Sequence, residues 1–299
     1  MISTPRLAFD NATDASFRLW VQGLIDAMVA IGWIQTADTG QINTATVLKP
    51  SGATQTQGVA LFTPDDGLTD YILKMGFGST VNGALSPAVT FQLGFATNGA
   101  GTFTGAVTNV FRLRHNSQNN GGTSTVHMCK VDDMFAFSWN EEYSYLFMTN
   151  PAHQLFACER WRNAAGAPQT TGVACVAASV DGTNVYNDTA ASNAFGYLQA
   201  TAAGDSGPGA YSDSRLPCAA INTTGSWSRG DKLGLAMLTP WYGGGLPGMG
   251  CVLACIPADM GNGWGDQFEA TVYGVAHNYR YTPVLIASGG QGYLSMIYE

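Results

Sequence analysis

Between Phe17 and Trp33 the chain reads FRLWVQGLIDAMVAIGW, and its large apolar side chains recur at a helical interval. Phe17, Trp20, Val21, Leu24, Ile25, Met28 and Val29 fall at spacings of 3, 4, 7, 8, 11 and 12, which gathers all seven on one face of a helix. Thr13 or Asp14 can cap its start and Gly32 can end it. Arg18, Gln22 and Asp26 fall on the opposite face. Spanning a bilayer takes roughly 20 predominantly apolar residues, so the length and the polar back face predict a helix laid on its own protein, not inserted in a membrane.

After Thr36 the texture changes to β-branched and aromatic residues at period two, punctuated by Gly, Asn, Asp and Pro, the signature of short strands and tight turns. Strands are predicted from Gln41 to Leu48, Gln57 to Phe62, Tyr71 to Phe77, Ala88 to Phe95 and Val107 to Leu113. TNGAG, residues 97–101, reads as the turn of a hairpin. Further strand-like runs are TVHMCKV, MFAFSWN, YSYLFMT, HQLFACERW, GVACVAAS, DKLGLAML, MGCVLACI and FEATVYGVAHNYRY, and PVLIASGGQGYLSMIY reads as a final hairpin whose apolar end should be paired. One helix followed by many strands, without regular strand–helix alternation, predicts a mainly β fold: an antiparallel sandwich or barrel with one N-terminal amphipathic helix. Residues 1–49 are expected to hold the helix and a first strand docked on the sheet, and residues 50–299 the β-rich domain. The polar tract HNSQNNGGTST, residues 115–125, is either a long loop or a boundary between subdomains.

Composition narrows the functional classes. Charged residues make up only 11% of the 299-residue chain against 45% hydrophobic, so it can bury a large core and presents a weakly charged surface. Thirteen Lys and Arg face twenty-one Asp and Glu, with no basic cluster, so no nucleic-acid partner is expected. The opening MISTPRLAFDNATD has neither the charged nor the apolar region of a signal peptide, and synthesis in a cytoplasm is expected.

Few motifs carry chemistry. GDSGPG, residues 204–209, resembles the nucleophile loop of trypsin-like proteases, with TVHMC around His127 as a distant match to their histidine segment. His127 nevertheless sits in an alternating run, and Gly207 with Pro208 suits a tight turn. Of six cysteines only Cys251 and Cys255 are close, as C-x3-C, and without a second pair or matched histidines no metal or cofactor is expected. Buried thiols are the default for the six. In one register of the hairpin around NAAGAPQTTG, Cys158 would face Cys175, and a one-residue slip would separate them. The carboxylate pairs Asp65–Asp66, Asp132–Asp133 and Glu141–Glu142 read as turn acids, because an acid–base pair would have to be assembled from distant segments. Glycine-flanked aromatics are the more interesting feature: Trp241 and Tyr242 in PWYGGGLPGMG, Trp264 in GNGWGDQ, and Trp227 in SWS. They either pack on their own sheet, or form a contact between subunits, or stack on a sugar ring.

The stretches DNATDASFRLWVQGLIDAMVAIGWIQTADTGQI, LFACERWRNAAGAPQTTGV and GLAMLTPWYGGGLPGMGCVLACIPADM resemble a group of tailed-bacteriophage virion structural proteins encoded among tail and neck genes. WIQTADTGQI and the turn around Glu159, Arg160 and Arg162 are the most specific parts. The resemblance implies a non-enzymatic subunit of the virion, a collar, fibre or baseplate-associated component, made in the host bacterial cytoplasm and working through contacts with its own copies and other virion proteins. Cys158, Cys175, Cys251 and Cys255 stand where the group suggests ordinary apolar residues, which marks them as candidates for disulfides formed outside the cell. The competing expectation is a module that binds host-surface glycan through Trp241, Tyr242 and Trp264. A glycan-cleaving enzyme would need two carboxyl groups roughly 5 to 10 Å apart in a cleft.

Overall fold

The computed structural model describes residues 2–3, 7–8, 13–51, 55–68, 71–81, 85–108, 110–114, 123–141, 153–163, 165–179, 185–187, 194–199, 210–211, 236–237, 253–257, 267–272, 274–285 and 292–298. Two short strands, β1 (Ile2–Ser3) and β2 (Leu7–Ala8), precede helix α1 (Asp14–Ala30), and β3 (Trp33–Gln35) follows it. Then come β4 (Gln55–Pro64), β5 (Ile72–Val81), β6 (Leu85–Thr97), β7 (Phe103–Val107) and β8 (Phe111–Arg114). Next are β9 (Thr123–Val131), β10 (Met134–Glu141), β11 (His153–Arg162), β12 (Pro168–Ser179), β13 (Val185–Asn187), β14 (Ala194–Gln199) and β15 (Ala210–Tyr211). The remaining strands are β16 (Ala236–Met237), β17 (Leu253–Pro257), β18 (Gln267–Val272), β19 (Val275–Leu285) and β20 (Gly292–Ile297).

These strands form three antiparallel sheets. A central sheet runs β1-β9-β10-β11-β12-β14-β15, with β2 also on β9; a helix-side sheet runs β13-β8-β6-β5-β4-β3, with β7 also on β6; an outer sheet runs β16-β17-β20-β19-β18. The fold is the mainly antiparallel β-sandwich with one N-terminal helix that the patterning predicts. Alternation supplies the reason. On β9 to β11 the residues Met128, Phe135, Phe137, Trp139 and Phe156 share one face and join a single core with Met75, Phe77, Phe91 and Phe111 of the helix-side sheet. Phe91 and Phe156 stack across that core with centroids 4.3 Å apart and planes 9° from parallel. The opposite face of the central sheet is buried as well: β11 and β12 touch β19, and β10 touches β20. Strands covered on both faces lose strict alternation, which explains the consecutive apolar residues of LFAC in β11 and FAF in β10.

Helix α1 lies against both sheets of that core. Trp20 sets its ring 6.2 Å from Phe77 of the helix-side sheet and 6.3 Å from Trp139 of the central sheet. Trp33, just beyond the helix, does the same with Tyr71 at 6.0 Å and Phe135 at 5.3 Å. Thr13 caps the helix, its hydroxyl accepting from the Ser16 backbone N–H at 3.1 Å. Gly32, with φ +96°, takes the left-handed position just past the end. Phe17, Trp20, Val21, Leu24, Ile25 and Met28 are all buried, each worth about 1.5–3 kcal/mol of transfer free energy for the larger side chains. Val29 departs from the expected stripe: it is 49% exposed. At about 100° per residue it stands about 120° round from Phe17, at the edge of the arc that the sheets can cover.

The predicted strand from Gln41 to Leu48 is not a strand; Thr44–Thr46 is a turn within an irregular strap that follows β3. Its alternation is real, but Asn43 overrides it. The Asn43 carboxamide oxygen accepts from Ala45 N–H at 3.0 Å, and its backbone carbonyl accepts from Thr46 and Val47, the local closure that Asn side chains favour over a ladder. The polar back of the helix anchors this strap. Arg18 Nε donates to the Val47 carbonyl at 2.8 Å, the Thr44 hydroxyl donates to Gln22, and the Lys49 N–H donates to Asp14 at 2.8 Å.

The TNGAG hairpin joins β6 to β7, with Thr97 opposite Phe103. The expected strand Val107 to Leu113 is divided, because Thr108 turns inward: its hydroxyl accepts from Leu93 N–H at 2.9 Å. β20 pairs with both β17 and β19 and buries Ile297 fully. The run YSYLFMT and residues 115–122 of the polar tract lie outside the described residues.

Candidate functional site

Charged side chains are scarce in this chain, so the places where several meet are informative. Among the described residues the largest such meeting is at the end of β11. Alternation points Cys158 and Arg160 toward the helix-side sheet and Glu159 toward the outer sheet. A register shift between Arg160 and Arg162 then re-aims the second arginine, as β-bulges do. Arg160 reaches Asp66 with Nε–Oδ2 at 2.6 Å and Nη2–Oδ1 at 3.1 Å, a bidentate pair whose side chains are 0% and 2% exposed. Arg162 Nη2 meets both carboxylate oxygens of Asp133 at 2.8 and 3.0 Å, and its Nε lies 3.5 Å from Glu159.

Asp133 also accepts from the Arg160 backbone N–H at 3.1 Å, and Arg162 Nη1 donates to the Gly166 carbonyl at 2.9 Å. Asp66 belongs to the turn between β4 and β5. Asp133 belongs to the two-residue turn between β9 and β10, where Asp132 takes φ +49°, a left-handed value that aspartate tolerates better than most side chains. The cluster therefore ties the helix-side sheet, the β9–β10 turn and the β11–β12 hairpin together. Burial raises the Asp133 pKa, against the lowering pull of Arg162 and the Arg160 N–H.

Tyr71 and Cys158 complete this corner. The Arg160 guanidinium lies 5.0 Å from the Tyr71 ring centroid, a cation–π contact. The Tyr71 hydroxyl is 3.8 Å from Cys158 Sγ. Burial, with the neighbouring thiol second, raises the Tyr71 pKa well above its ordinary value, and burial pushes the Cys158 thiol up to about 12. Both groups stay protonated, so Cys158 is no nucleophile in the folded protein.

The second polar knot sits in TADTGQI. Asp38 accepts from the Thr36 hydroxyl at 2.7 Å, from the Thr97 hydroxyl, and from the Gly101 N–H at 3.2 Å. The Thr97 and Thr36 hydroxyls hold its carboxyl below the ordinary value. Thr39 N–H donates to the Gly99 carbonyl at 2.9 Å, and Gln41 reaches Thr36 and Leu61. Gly40 is required here: a Cβ on it would lie 1.9 Å from the Ala100 carbonyl oxygen. Asp38 thus fastens the strap to the tip of the β6–β7 hairpin.

The structure brings together some of the expected residues. Cys158 and Cys175 are direct partners in the β11–β12 ladder, both buried and both present as thiols. Cys255 is paired in backbone register with Ala236 and Leu294, while Cys251, Trp227, Trp241, Tyr242, Trp264 and residues 204–209 lie outside the described residues. His127 is on β9, 4% exposed, on the face toward the outer sheet. Asp66 and Asp133, one from each of two adjacent carboxylate pairs, do converge from distant segments, but on arginines. They are turn acids serving as counter-ions, a role that the linear spacing does not display. The available signal is the charged run Glu159, Arg160 and Arg162 directly after the apolar LFAC of one strand, since charges brought into a core demand buried partners.

Among the described residues no group of three or more His, Cys, Asp or Glu is placed to hold a metal ion, and no helix is long and apolar enough to cross a membrane. Comparison with known family models, with curated proteins and with solved structures found no match.

Proposed function

We propose that this chain is a structural subunit of a tailed-bacteriophage virion, a tail or neck component that works through contacts with its own copies and neighbouring virion proteins and not through catalysis. The observation that carries the reading is where the two most motif-like stretches go. TADTGQI and the Glu159–Arg162 segment, which resemble the phage group most closely, are consumed in contacts within the chain that fasten a strap and three turns. Residues so used suit a rigid building block. Among the described residues the exposed large apolar side chains are Leu19, Leu48, Ile34 and Val29, at 74%, 61%, 52% and 49%, within the helix, edge strand and strap, and Val275, at 56%, on β19. Scattered exposed apolar residues are common, but four of these five lie within residues 19–48 of a weakly charged chain, which favours contact with another protein there.

An antibody raised against the chain and applied to purified particles of the phage that encodes it provides the test. Labelling confined to the tail or neck in electron micrographs is the expected result. Particles that carry no label and no peptide of this chain by mass spectrometry overturn the proposal. Labelling only at a distal tip, with binding to host-surface glycan that is lost in Trp241→Ala, replaces it with the glycan-binding reading.

A further inference from the structure

Two thiols meet in the core between the central and helix-side sheets. Cys158 on β11 and Cys175 on β12 are direct ladder partners, both buried and both present as thiols. Both side chains belong to the same core, so they project from one face of adjacent strands, as period-two alternation requires.

Ladder partners are of two kinds, and the kind sets the distance. The Arg160 N–H is given to the Asp133 carboxylate at 3.1 Å. Asp133 continues the β10 register that pairs Phe135 with Cys158, so Arg160 turns its N–H toward the β10 side. In an antiparallel ladder the N–H and C=O of one residue address the same neighbouring strand, and every second residue addresses the same one. Cys158, two positions before Arg160, therefore directs its backbone groups to β10, and its pairing with Cys175 on the other side is of the non-hydrogen-bonded kind. In such a pair the Cα atoms stand roughly 4.5 Å apart with the side chains at their closest, within the roughly 4.4–6.8 Å that a disulfide spans.

We infer that Cys158 and Cys175 are a redox pair, which closes as a cross-strand disulfide when the chain folds, or its β11–β12 hairpin opens, in the presence of a small-molecule disulfide. One cysteine, as its thiolate, attacks the small disulfide; a mixed disulfide forms and one small thiol leaves. The second cysteine thiolate then attacks the cysteine sulfur of that intermediate, the S–S bond between the strands forms, and the second small thiol leaves. Two thiols of the chain are oxidised, the small disulfide is reduced to two thiols, and these take up the two protons that the cysteines give up. Burial, which pushes the Cys158 thiol up to about 12, keeps the closed hairpin unreactive, so exchange waits for opening. Once formed, the bridge fixes the β11–β12 register two residues before Arg160, where β11 enters the ionic corner.

Refolding of the full-length protein tests this. The reduced chain, with its six cysteines, is diluted from urea into a series of glutathione and glutathione disulfide buffers, quenched in acid, alkylated in urea and digested without reduction for peptide mass spectrometry. Cys158 and Cys175 should be joined to each other and to no other cysteine. Half-oxidation of that pair should need at least about tenfold less glutathione disulfide in the refolded protein than in chain held in urea, because the fold positions the thiols in advance. Val173→Cys/Cys175→Val exchanges two side chains on the same core face; its new thiol takes the diagonal position, roughly 7–8 Å away, and should stay unlinked to Cys158. Refolded protein in which Cys158 and Cys175 remain alkylated throughout the series, or are joined to other cysteines, overturns the inference. So does a pair no easier to oxidise in the folded protein than in urea, or an exchanged variant that folds and bridges as readily as the parent. Should that variant not fold, the comparison of folded and urea-held parent decides alone.

Discussion

Removing the Arg160 side chain tests whether the ionic corner is as dry as its geometry indicates. In Arg160→Met the methionine stem fills much of the same space, yet Asp66, only 2% exposed, loses both bonds to the guanidinium, at 2.6 and 3.1 Å, and keeps the Leu68 N–H at 3.1 Å. Breaking one side of a buried pair in this way typically costs about 3–5 kcal/mol, because the surviving group is left buried without its counter-ion. The ring of Tyr71, 5.0 Å from the guanidinium, loses a further cation–π contact of about 0.5–2 kcal/mol. Asp133 keeps Arg162 and the backbone N–H of residue 160, so the damage should centre on the β4–β5 turn. At about 2–4 °C per kcal/mol for a large domain, the melting temperature should fall by roughly 7–28 °C, read by scanning calorimetry at pH 7. The companion Arg160→Met/Asp66→Leu removes both charges and should recover most of the loss, since apolar replacement of a whole buried pair is often neutral or stabilising. A fall of less than about 1 kcal/mol in the single variant, the range of solvated ion pairs, would refute the reasoning, as would a double variant no more stable than the single.

Gly40→Ala should destabilise the strap, since its new methyl meets the Ala100 backbone; a loss of about 1–3 kcal/mol, with faster amide exchange confined to residues 36–43 and 98–102, is the expected outcome in denaturant titration and exchange experiments. Trp20→Ala removes the ring that touches Phe77 and Trp139 and should cost about 3–5 kcal/mol, with loss of near-ultraviolet circular dichroism; a change under about 1 kcal/mol would place the helix outside the core. Cys158, fully buried and with its thiol pushed up to about 12, should resist iodoacetamide at pH 8 in the native protein and react once it is unfolded in urea, as followed by peptide mass spectrometry.

The positions of Cys158 and Cys175 illustrate how a single register decides chemistry. Their ladder partnership puts the two thiols on one face of adjacent strands, the arrangement in which cross-strand residues approach most closely. One slip of the hairpin would send one of them to the outer-sheet face. Nothing in NAAGAPQTTG alone selects the register. It is selected by the aromatic face of β11 and by Arg162, whose Nη1 bonds the Gly166 carbonyl at 2.9 Å within that same hairpin.

Local pattern was sufficient for the elements whose determinants are local. The stripe from Phe17 to Met28, the cap at Thr13 and the left-handed Gly32 define α1 without reference to any neighbour. Runs rich in β-branched, aromatic and small apolar residues between turn signals likewise locate β4 to β6 and β9 to β12 to within a few residues, because composition and turn chemistry are properties of adjacent positions. Three features were decided only by tertiary structure. Gln41 to Leu48 alternates like a strand but is held as a strap by Arg18, Asp14 and the hairpin at Gly99. The sorting of strands into three sheets depends on which apolar faces meet. The ionic corner joins residues as much as 94 positions apart; a carboxylate in a turn looks the same in one dimension whether it faces water or a buried arginine, and only the folded chain sets the dielectric around it.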